Sequence, residues 1–228
     1  MGASYGQFCP VSKAMEVLDE RWTLLVVREL LFGSTRFNEI RRGVPRMSPA
    51  LLSTRLTSLT KAGIVERRTS GREVEYVLTP AGRELGPVVE ALGIWGVRWA
   101  GKPGETDYDP KLLMWDMHRN VDHAAVPAGR TVLHFRFPEL RGKGALWWMT
   151  LTPTEADVCD YDPGHDIGVR VTASLRGLTD VWMGEMTWKA AQRDGAVEID
   201  GPTALRRAMP SWFTLAPAAA VPRPARVG

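Results

Sequence analysis

A basic segment between Arg36 and Arg72 holds the side chains most able to do chemistry in this sequence. It carries nine Lys and Arg residues against the two acids Glu39 and Glu66, a net charge of +7, whereas the whole chain of 228 residues is only +3. Positive charge at this density binds the phosphates of a nucleic acid, although such a run can also be just a solvated basic face. The expected DNA contacts are Arg36, Arg46, Ser48, Pro49, Ser53, Thr54, Arg55, Thr57, Lys61, Arg67, Arg68 and Arg72.

The local sequence predicts a helix that positions the middle of this segment. Ser48-Pro49 begins the helix, because a serine hydroxyl caps free N–H groups and proline fits the first helical position. Leu52, Leu56 and Leu59 recur at helical spacing and form one buried stripe. The opposite face carries small and hydroxyl side chains, which let a helix lie close in a major groove. Ala62-Gly63 ends the helix.

Two alternating strands follow this helix and flank a turn at Ser70-Gly71. Arg67, Arg68 and Arg72 lie at or near the tip of the resulting hairpin, where they can reach phosphates or the minor groove. The order of short helix, turn, capped helix and basic hairpin predicts a winged helix-turn-helix.

This half of the sequence resembles the HxlR-type branch of bacterial winged-helix regulators, from Cys9 to about residue 100. The motifs that carry the resemblance are Trp22, the Gly-x-x-Arg-Phe-x-Glu-Ile run from Gly33 to Ile40, the helix from Ser48 to Leu59, and Gly63-Ile64-Val65 leading into Arg67-Arg68. The resemblance implies a dimeric transcription factor, repressor or activator, that binds paired half-sites. It places Ser48, Pro49, Ser53 and Arg55 in the recognition helix, and Arg67, Arg68 and Arg72 in the wing.

A second helix is predicted from Thr79-Pro80, and its apolar residues suit a partner helix. They recur at spacings of three and four residues, as in a coiled-coil seam, although the helix could instead pack on its own domain. A symmetric dimer would hold two recognition helices about 34 Å apart and would bind an inverted-repeat operator. The predicted dimer interface is Leu85, Val88, Leu92, Trp95 and Trp99.

The length of the chain predicts a second domain, since domains usually hold about 100–150 residues. We expect a DNA-binding and dimerisation domain at 1–101, a Gly/Pro-rich linker at 102–110, a second domain at 111–215 and a flexible Pro/Ala-rich tail at 216–228. The second half is close to neutral in charge and is therefore not built for nucleic acid. Its helical and short alternating segments predict an α+β fold with an antiparallel sheet.

The second domain resembles the sterol-carrier-protein-like domain, best in residues 166–213, where a strand leads directly into a helix and a last helix ends in Trp212-Phe213. The resemblance implies an apolar tunnel for a lipid-like ligand, and Trp and Met line adaptable cavities. The same side chains could form a plain core, which would make this domain a dimerisation or partner platform. A lipid carrier with a non-functional DNA module is a further alternative. The candidate ligand-binding residues are Trp115, Trp147, Trp148, Trp182, Met183, Met186, Trp212 and Phe213.

Cys9 is a candidate thiol sensor, because it directly precedes the first predicted helix and a helix N-terminus lowers the pKa of a thiol. The alternative is an inert small side chain without a nearby second cysteine. With two cysteines, no signal sequence and no long apolar run, the sequence predicts a cytoplasmic protein without membrane insertion. It shows no enzyme motif, and we expect no catalytic residue, metal or cofactor.

Overall fold

The computed structural model describes residues 4–223, and the chain divides between Trp95 and Gly96 into two compact units. Helix α6 (Gly86–Trp99) continues across this boundary, so the boundary predicted after residue 101 lies within the second unit. The other elements of the first unit are α1 (Pro10–Leu18), α2 (Thr23–Leu31), α3 (Phe37–Gly43), α4 (Pro49–Lys61), the strands β1 (Val65–Ser70) and β2 (Glu73–Leu78), and α5 (Pro80–Arg83).

Helix α4 forms where the cap and the leucine spacing predicted it. The Ser48 hydroxyl accepts a hydrogen bond at 3.3 Å from the backbone N–H three residues later, and Pro49 is the first helical residue. Leu52, Leu56 and Leu59 are at most 1% exposed and pack with apolar side chains of α2 and α3. Burying each such side chain stabilises a fold by roughly 1.5–3 kcal/mol, so the stripe fixes which face of α4 stays outside.

The wing is an antiparallel hairpin in which Val65 pairs with Leu78 and Ser70 pairs with Glu73. The turn is therefore formed by residues 71 and 72, one position later than predicted. Gly71 supplies the positive φ of 60° that a two-residue turn requires. The winged helix-turn-helix prediction is confirmed for this unit.

The helix predicted from Thr79-Pro80 to the end of the apolar seam is interrupted. The Thr79 hydroxyl accepts a hydrogen bond from the Gly82 N–H at 3.2 Å and caps only the short helix α5. The break falls just before Pro87, because proline lacks the N–H that a continuous helix would donate to the carbonyl four residues earlier. Leu85 therefore lies before α6 and packs on the core of the first unit.

The second unit is a mixed α+β fold around one five-stranded sheet of order β5-β4-β3-β6-β7. The prediction of an antiparallel sheet is wrong at one pair, since β3 and β6 are parallel while the other three pairs are antiparallel. The reason is that the chain crosses from the edge strand β5 to the far side of β3 before β6 begins. The strands are β3 (Thr131–Arg136), β4 (Leu146–Leu151), β5 (Ala156–Cys159), β6 (Val169–Ala173) and β7 (Val197–Asp200), and the helices are α7 (Pro110–Arg119), α8 (Leu175–Trp182), α9 (Trp188–Arg193) and α10 (Thr203–Ala208).

One face of this sheet forms the core of the second unit. Leu133, Phe135 and Met149 are completely buried there, and Trp147 belongs to the same cluster. Because neighbouring residues of a strand point to opposite faces, Trp148 lies on the outer face of the sheet.

The predicted linker and tail both have local structure. Residues 102–110 include a short 3-10 helix, Glu105–Asp107, then Asp109, whose carboxylate caps α7, and finally Pro110, the first residue of α7. The tail prediction is wrong for residues 216–223, because Ala216 is buried, Pro217–Ala220 forms a 3-10 helix, and Arg223 pairs with Glu185. The rest of the predicted tail, residues 224–228, lies outside the described residues. No helix within residues 4–223 is long and apolar enough to cross a membrane.

Candidate nucleic-acid interface

The outward face of α4 is built from short side chains. Ser48, Pro49, Ser53, Thr54 and Thr57 are all exposed. The two threonine hydroxyls donate to backbone carbonyls four residues earlier, at 3.0 and 2.9 Å, which leaves their oxygens free to accept from a ligand. A helix with this low profile fits the major groove of B-DNA, which is about 12 Å wide.

Arg55 departs from the prediction that it contacts DNA. Its guanidinium forms an ion pair with Glu20, its Nε donates to the Arg21 carbonyl at 3.1 Å, and its side chain is only 13% exposed. Position 55 directly precedes the buried Leu56, so the side chain is turned toward the junction of α1 and α2. In this structure, Arg55 ties α4 to the junction of α1 and α2 and is not presented to a phosphate.

The start of α3 is linked to the wing. The Arg36 guanidinium donates to both carboxylate oxygens of Glu73 at 3.1 Å, and the Tyr76 N–H donates to the Thr35 carbonyl at 2.8 Å. Arg36 is exposed but already carries a carboxylate partner. Arg46, in the turn before α4, is exposed as well.

The arginines of the wing differ in their partners. Arg68 pairs with Glu66 at 2.8 Å and lowers the pKa of that carboxyl by hydrogen bonding and by its charge. Arg67 is exposed and, within residues 4–223, donates only to the Thr69 hydroxyl, at 3.2 Å. Arg72, in the turn, and Lys61, at the end of α4, are exposed, and neither has a carboxylate partner among the described residues. Both are therefore available to a phosphate backbone.

A buried carboxylate under α3 was missing from the sequence prediction. Glu29 is completely buried and accepts from the Arg28 guanidinium at 2.8 Å, while Arg28 also donates to the Gly43 carbonyl at 2.8 Å. A Cβ at position 43 would lie 1.9 Å from the Glu29 carboxylate, so only glycine fits there. Two features of the sequence could have indicated this contact: Glu29 lies inside the apolar run of α2, and Gly43 lies at the end of α3.

The predicted seam on α6 is largely uncovered. Val88, Leu92, Trp95 and Trp99 are 45, 49, 58 and 63% exposed. Leu85, the fifth predicted member, instead packs on the core of the first unit and leaves the seam. The other four residues form an apolar stripe along one helix that the described chain does not cover.

Cys9 lies at the N-cap position of α1 and is partly exposed. The backbone N–H groups of Ser12 and Val11 lower the pKa of its thiol, because hydrogen bonds to a thiolate favour the charged form. Cys159, the other cysteine, belongs to the second unit and is also free of a disulfide.

The predicted ligand-binding side chains lie mostly in the packed interior of the second unit. Each of the six aromatic members is at most 9% exposed, and the two methionines are half-buried against the core. The Trp147 indole donates to the Gly144 carbonyl at 3.0 Å. Four indole N–H groups in this unit are buried without an acceptor among the described residues: those of Trp148, Trp182, Trp188 and Trp212.

The histidines of α7 and the following loop bond to the backbone of the second unit. His118 Nε2 lies 2.9 Å from the Ala156 carbonyl oxygen, and His123 Nδ1 lies 3.0 Å from the Thr152 carbonyl oxygen. Across residues 4–223, no cluster of three or more His, Cys, Asp or Glu side chains is arranged to hold a metal ion.

Sequence comparison relates the chain to known regulators. The uncharacterised HTH-type transcriptional regulator YvaP of Bacillus subtilis (strain 168) is 37% identical over 97 residues, which are 41% of this chain and 90% of that protein. The uncharacterised HTH-type regulator Rv3095 of Mycobacterium tuberculosis H37Rv is 39% identical over 98 residues, 41% of this chain and 60% of that protein. Both relatives are named as HTH-type transcriptional regulators.

Solved structures give similar matches. The redox regulator HypR in its oxidised form is 32% identical, and the match covers 42% of this chain and 100% of HypR with a TM-score of 0.39. The reduced form of the regulator YodB from B. subtilis is 32% identical, and the match covers 43% of this chain and 100% of YodB with a TM-score of 0.37. The family model described as HxlR-like helix-turn-helix matches residues 17–103, and the chain belongs to this family of transcriptional regulators.

Proposed function

We propose that the chain regulates transcription by binding operator DNA through α4 and the wing. The observation that carries this proposal is the exposed face of α4, where short side chains leave the helix surface accessible in the same unit as a basic hairpin. The family membership supports it, because the relatives are HTH-type transcriptional regulators.

Within this interface, the residues divide by the contacts that their chemistry allows. Phosphate contacts fix the position of a protein on DNA, whereas contacts to base edges give specificity. Lys61 and Arg72 have no carboxylate partner in the part of the chain that the structure describes, and both suit phosphates. Arg36 and Arg68 suit them less, because each must exchange a carboxylate for a phosphate. Base edges suit the short residues at and after the start of α4, which are Ser48, Pro49, Ser53, Thr54 and Thr57. Arg46 and Arg67 lie at the margins of the proposed DNA-contacting surface.

The regulator acts as a homodimer in this proposal. The exposed stripe of Val88, Leu92, Trp95 and Trp99 places two Trp and two aliphatic side chains in water. Burial of this apolar surface against a second copy would stabilise the dimer by about 25 cal/mol for each Å² removed from water. Phe8, before α1, is fully exposed as well. A two-fold dimer binds an inverted repeat, and occupying such an operator makes repression the simplest outcome.

Fluorescence anisotropy with labelled duplexes tests DNA binding directly. The full chain is titrated against DNA from upstream of its own gene and against a scrambled duplex, at two salt concentrations. We expect tighter binding to the upstream duplex and a steep loss of affinity with salt, because bound Lys and Arg release counterions. Absence of binding to either duplex at low salt would overturn the proposal.

The second unit is the proposed effector module. Buried indole N–H groups normally have a partner, so the four without an acceptor favour binding of a small, largely apolar molecule that carries an acceptor atom. The packed core around Trp115, Trp182 and Trp212 favours the alternative of a dimerisation or partner platform. The sterol-carrier-like identity remains a prediction. An effector acts only if it prefers one arrangement of the DNA-bound dimer. A ligand that changes the DNA affinity of the full chain would therefore favour the effector module over the dimerisation or partner platform.

Cys9 supports thiol sensing as a second input. Its lowered pKa increases the thiolate fraction near neutral pH. Two of the similar solved structures, the oxidised redox regulator HypR and the quinone-bound form of YodB, are described by their redox or quinone state. Treatment with diamide or a quinone should change the DNA affinity of the wild type and leave a Cys9→Ser variant unchanged. An equal response of both proteins would exclude Cys9 as the sensor.

A further inference from the structure

The outer face of the sheet in the second unit carries a row of side chains that, unlike the apolar core, includes polar and charged groups. Strand pairing places Cys159, Trp148, His134 and Arg170 side by side across four strands, from β5 through β4 and β3 to β6. The helices of this unit pack on the opposite face with Trp147 and its neighbours. Trp148 is the one predicted ligand-binding residue in this row, whereas the other predicted members lie in or against the core.

Residues 160–168, called here the crossover segment, lie over this row. They connect the edge strand β5 to β6, and since β6 lies beyond β3, they must cross both β4 and β3. The Gly168 N–H donates to the Val132 carbonyl at 2.9 Å, so the segment reaches β3 at its end, and the charge of Asp162 acts on His134. The segment thus leads from β5 past the strands that carry Trp148 and His134 to β6.

Trp148 brings a buried donor to this place. The residue is 9% exposed, its ring centroid lies 4.8 Å from that of His134, and its indole N–H has no acceptor among the described residues. The neighbouring Trp147 satisfies its own N–H on a carbonyl. A buried donor without an acceptor is destabilising by about 1–3 kcal/mol. A bound molecule that supplies an acceptor would remove this energetic cost.

The row offers one exposed guanidinium that can receive an anion. Arg170 is exposed, faces His134 in register, and has no carboxylate partner among the described residues. Burial, Arg170 and Arg136 lower the pKa of His134, while Asp162 opposes them, so the imidazole is neutral near pH 7. Asp162 and Asp200, which lies opposite Arg170 on β7, limit the positive charge and disfavour a dianion such as phosphate.

We propose that the outer sheet face at Trp148 and Arg170, beside the crossover segment, binds a small aromatic carboxylate. The Trp148 N–H and the Arg170 guanidinium donate to the carboxylate oxygens, since guanidinium pairs well with a planar two-oxygen anion. The indole of Trp148 and the imidazole of His134, whose planes are tilted by 41°, offer aromatic contacts to the ring of the ligand. Such a molecule acts as an effector only if the proposed function of the second unit holds; the binding itself does not depend on it.

The test uses indole N–H resonances of the ¹⁵N-labelled full chain during titration with benzoate. A Trp148→Phe variant assigns the Trp148 resonance. We expect this resonance to shift saturably with benzoate, and to respond weakly to benzyl alcohol, which lacks the charge, and to acetate, which lacks the ring. Arg170→Gln should weaken benzoate binding about tenfold, the effect of losing one hydrogen bond to a charged group. The matched control Arg193→Gln, also exposed but already paired with Asp194, should leave the affinity unchanged.

Three results would overturn the site: no shift of the Trp148 resonance, an equal shift with benzyl alcohol, or unchanged benzoate affinity in Arg170→Gln. Because Arg170 is exposed, its variant keeps the test decisive even where Trp148→Phe fails to fold. DNA affinity is measured separately with and without benzoate. Benzoate binding without any change in DNA affinity would support the site and reject its effector role, so the two proposals fail independently.

Discussion

The Arg55→Ala substitution distinguishes a structural arginine from one that contacts DNA. In the recognition helix, Arg55 is only 13% exposed and is held by Glu20 and by the Arg21 carbonyl. Because Glu20 is 39% exposed, solvent screening limits the ion pair to about 0.5–1 kcal/mol. The bond to the carbonyl adds about 1.5 kcal/mol, the lower value for a hydrogen bond to a charged group.

We therefore expect Arg55→Ala to lower the free energy of unfolding of the first unit by about 2 kcal/mol. Arg72→Ala is the matched control, since Arg72 is exposed in the wing turn and has no carboxylate partner within residues 4–223. Its effect on stability should stay within about 0.5 kcal/mol, whereas the slope of log affinity for DNA against log salt should fall by about one.

Urea denaturation and salt-dependent anisotropy measure the two effects on the same proteins. The reasoning requires a lower urea midpoint with an unchanged salt slope for Arg55→Ala, and the reverse for Arg72→Ala. An Arg55→Ala protein with the wild-type midpoint and a salt slope reduced by about one would refute the structural role and restore Arg55 as a phosphate contact.

Three further predictions address packing, assembly and thiol chemistry. Gly43→Ala drives a Cβ into the buried Glu29 carboxylate and should destabilise the protein by about 1–3 kcal/mol in urea denaturation. The control Gly93→Ala, also in a helix but with open space at its Cβ, should be neutral or stabilising. Equal effects of the two substitutions on stability would contradict the packing argument. Trp95→Glu puts a charge into the exposed stripe of α6 and should convert a dimer to a monomer in sedimentation analysis, and an unchanged mass would remove this stripe from the interface. In a Cys159→Ser background, the alkylation rate of Cys9 should reach half its maximum at a lower pH than that of a cysteine peptide, because its pKa is lowered; an equal or higher pH would contradict the capping argument.

Most of the first unit could be predicted because its signals are local. The Ser48-Pro49 cap and the leucine spacing lie within the helix that they define, and the wing is a hairpin between strands that follow each other in the chain. The break before Pro87 was equally local, but the apolar spacing of α6 concealed it. The missing N–H of Pro87 determined where α6 begins, whereas the spacing of apolar residues on either side of the break gave no sign of it.

The features that the sequence did not reveal depend on residues far apart in the chain. Arg55 pairs with Glu20, and Glu29 lies against Gly43, and neither pairing leaves a periodic signal. The parallel pairing of β3 with β6 follows from where the crossover segment returns to the sheet, which strand patterning alone does not specify. The strand pairings also place Trp148 on the outer face, with His134 between it and Arg170, and leave Trp147 in the core.

In vitro selection from a randomised duplex library tests the central claim most directly, because it asks whether the full chain binds specific DNA as a symmetric dimer. The account predicts enrichment of an inverted repeat with half-site centres about 10–10.5 base pairs, or a multiple of this, apart. It also predicts that this enrichment disappears when Ser53→Glu places a carboxylate on the exposed face of α4. Failure to enrich any sequence, or a repeat selected equally well by the Ser53→Glu protein, would contradict recognition of DNA by this helix.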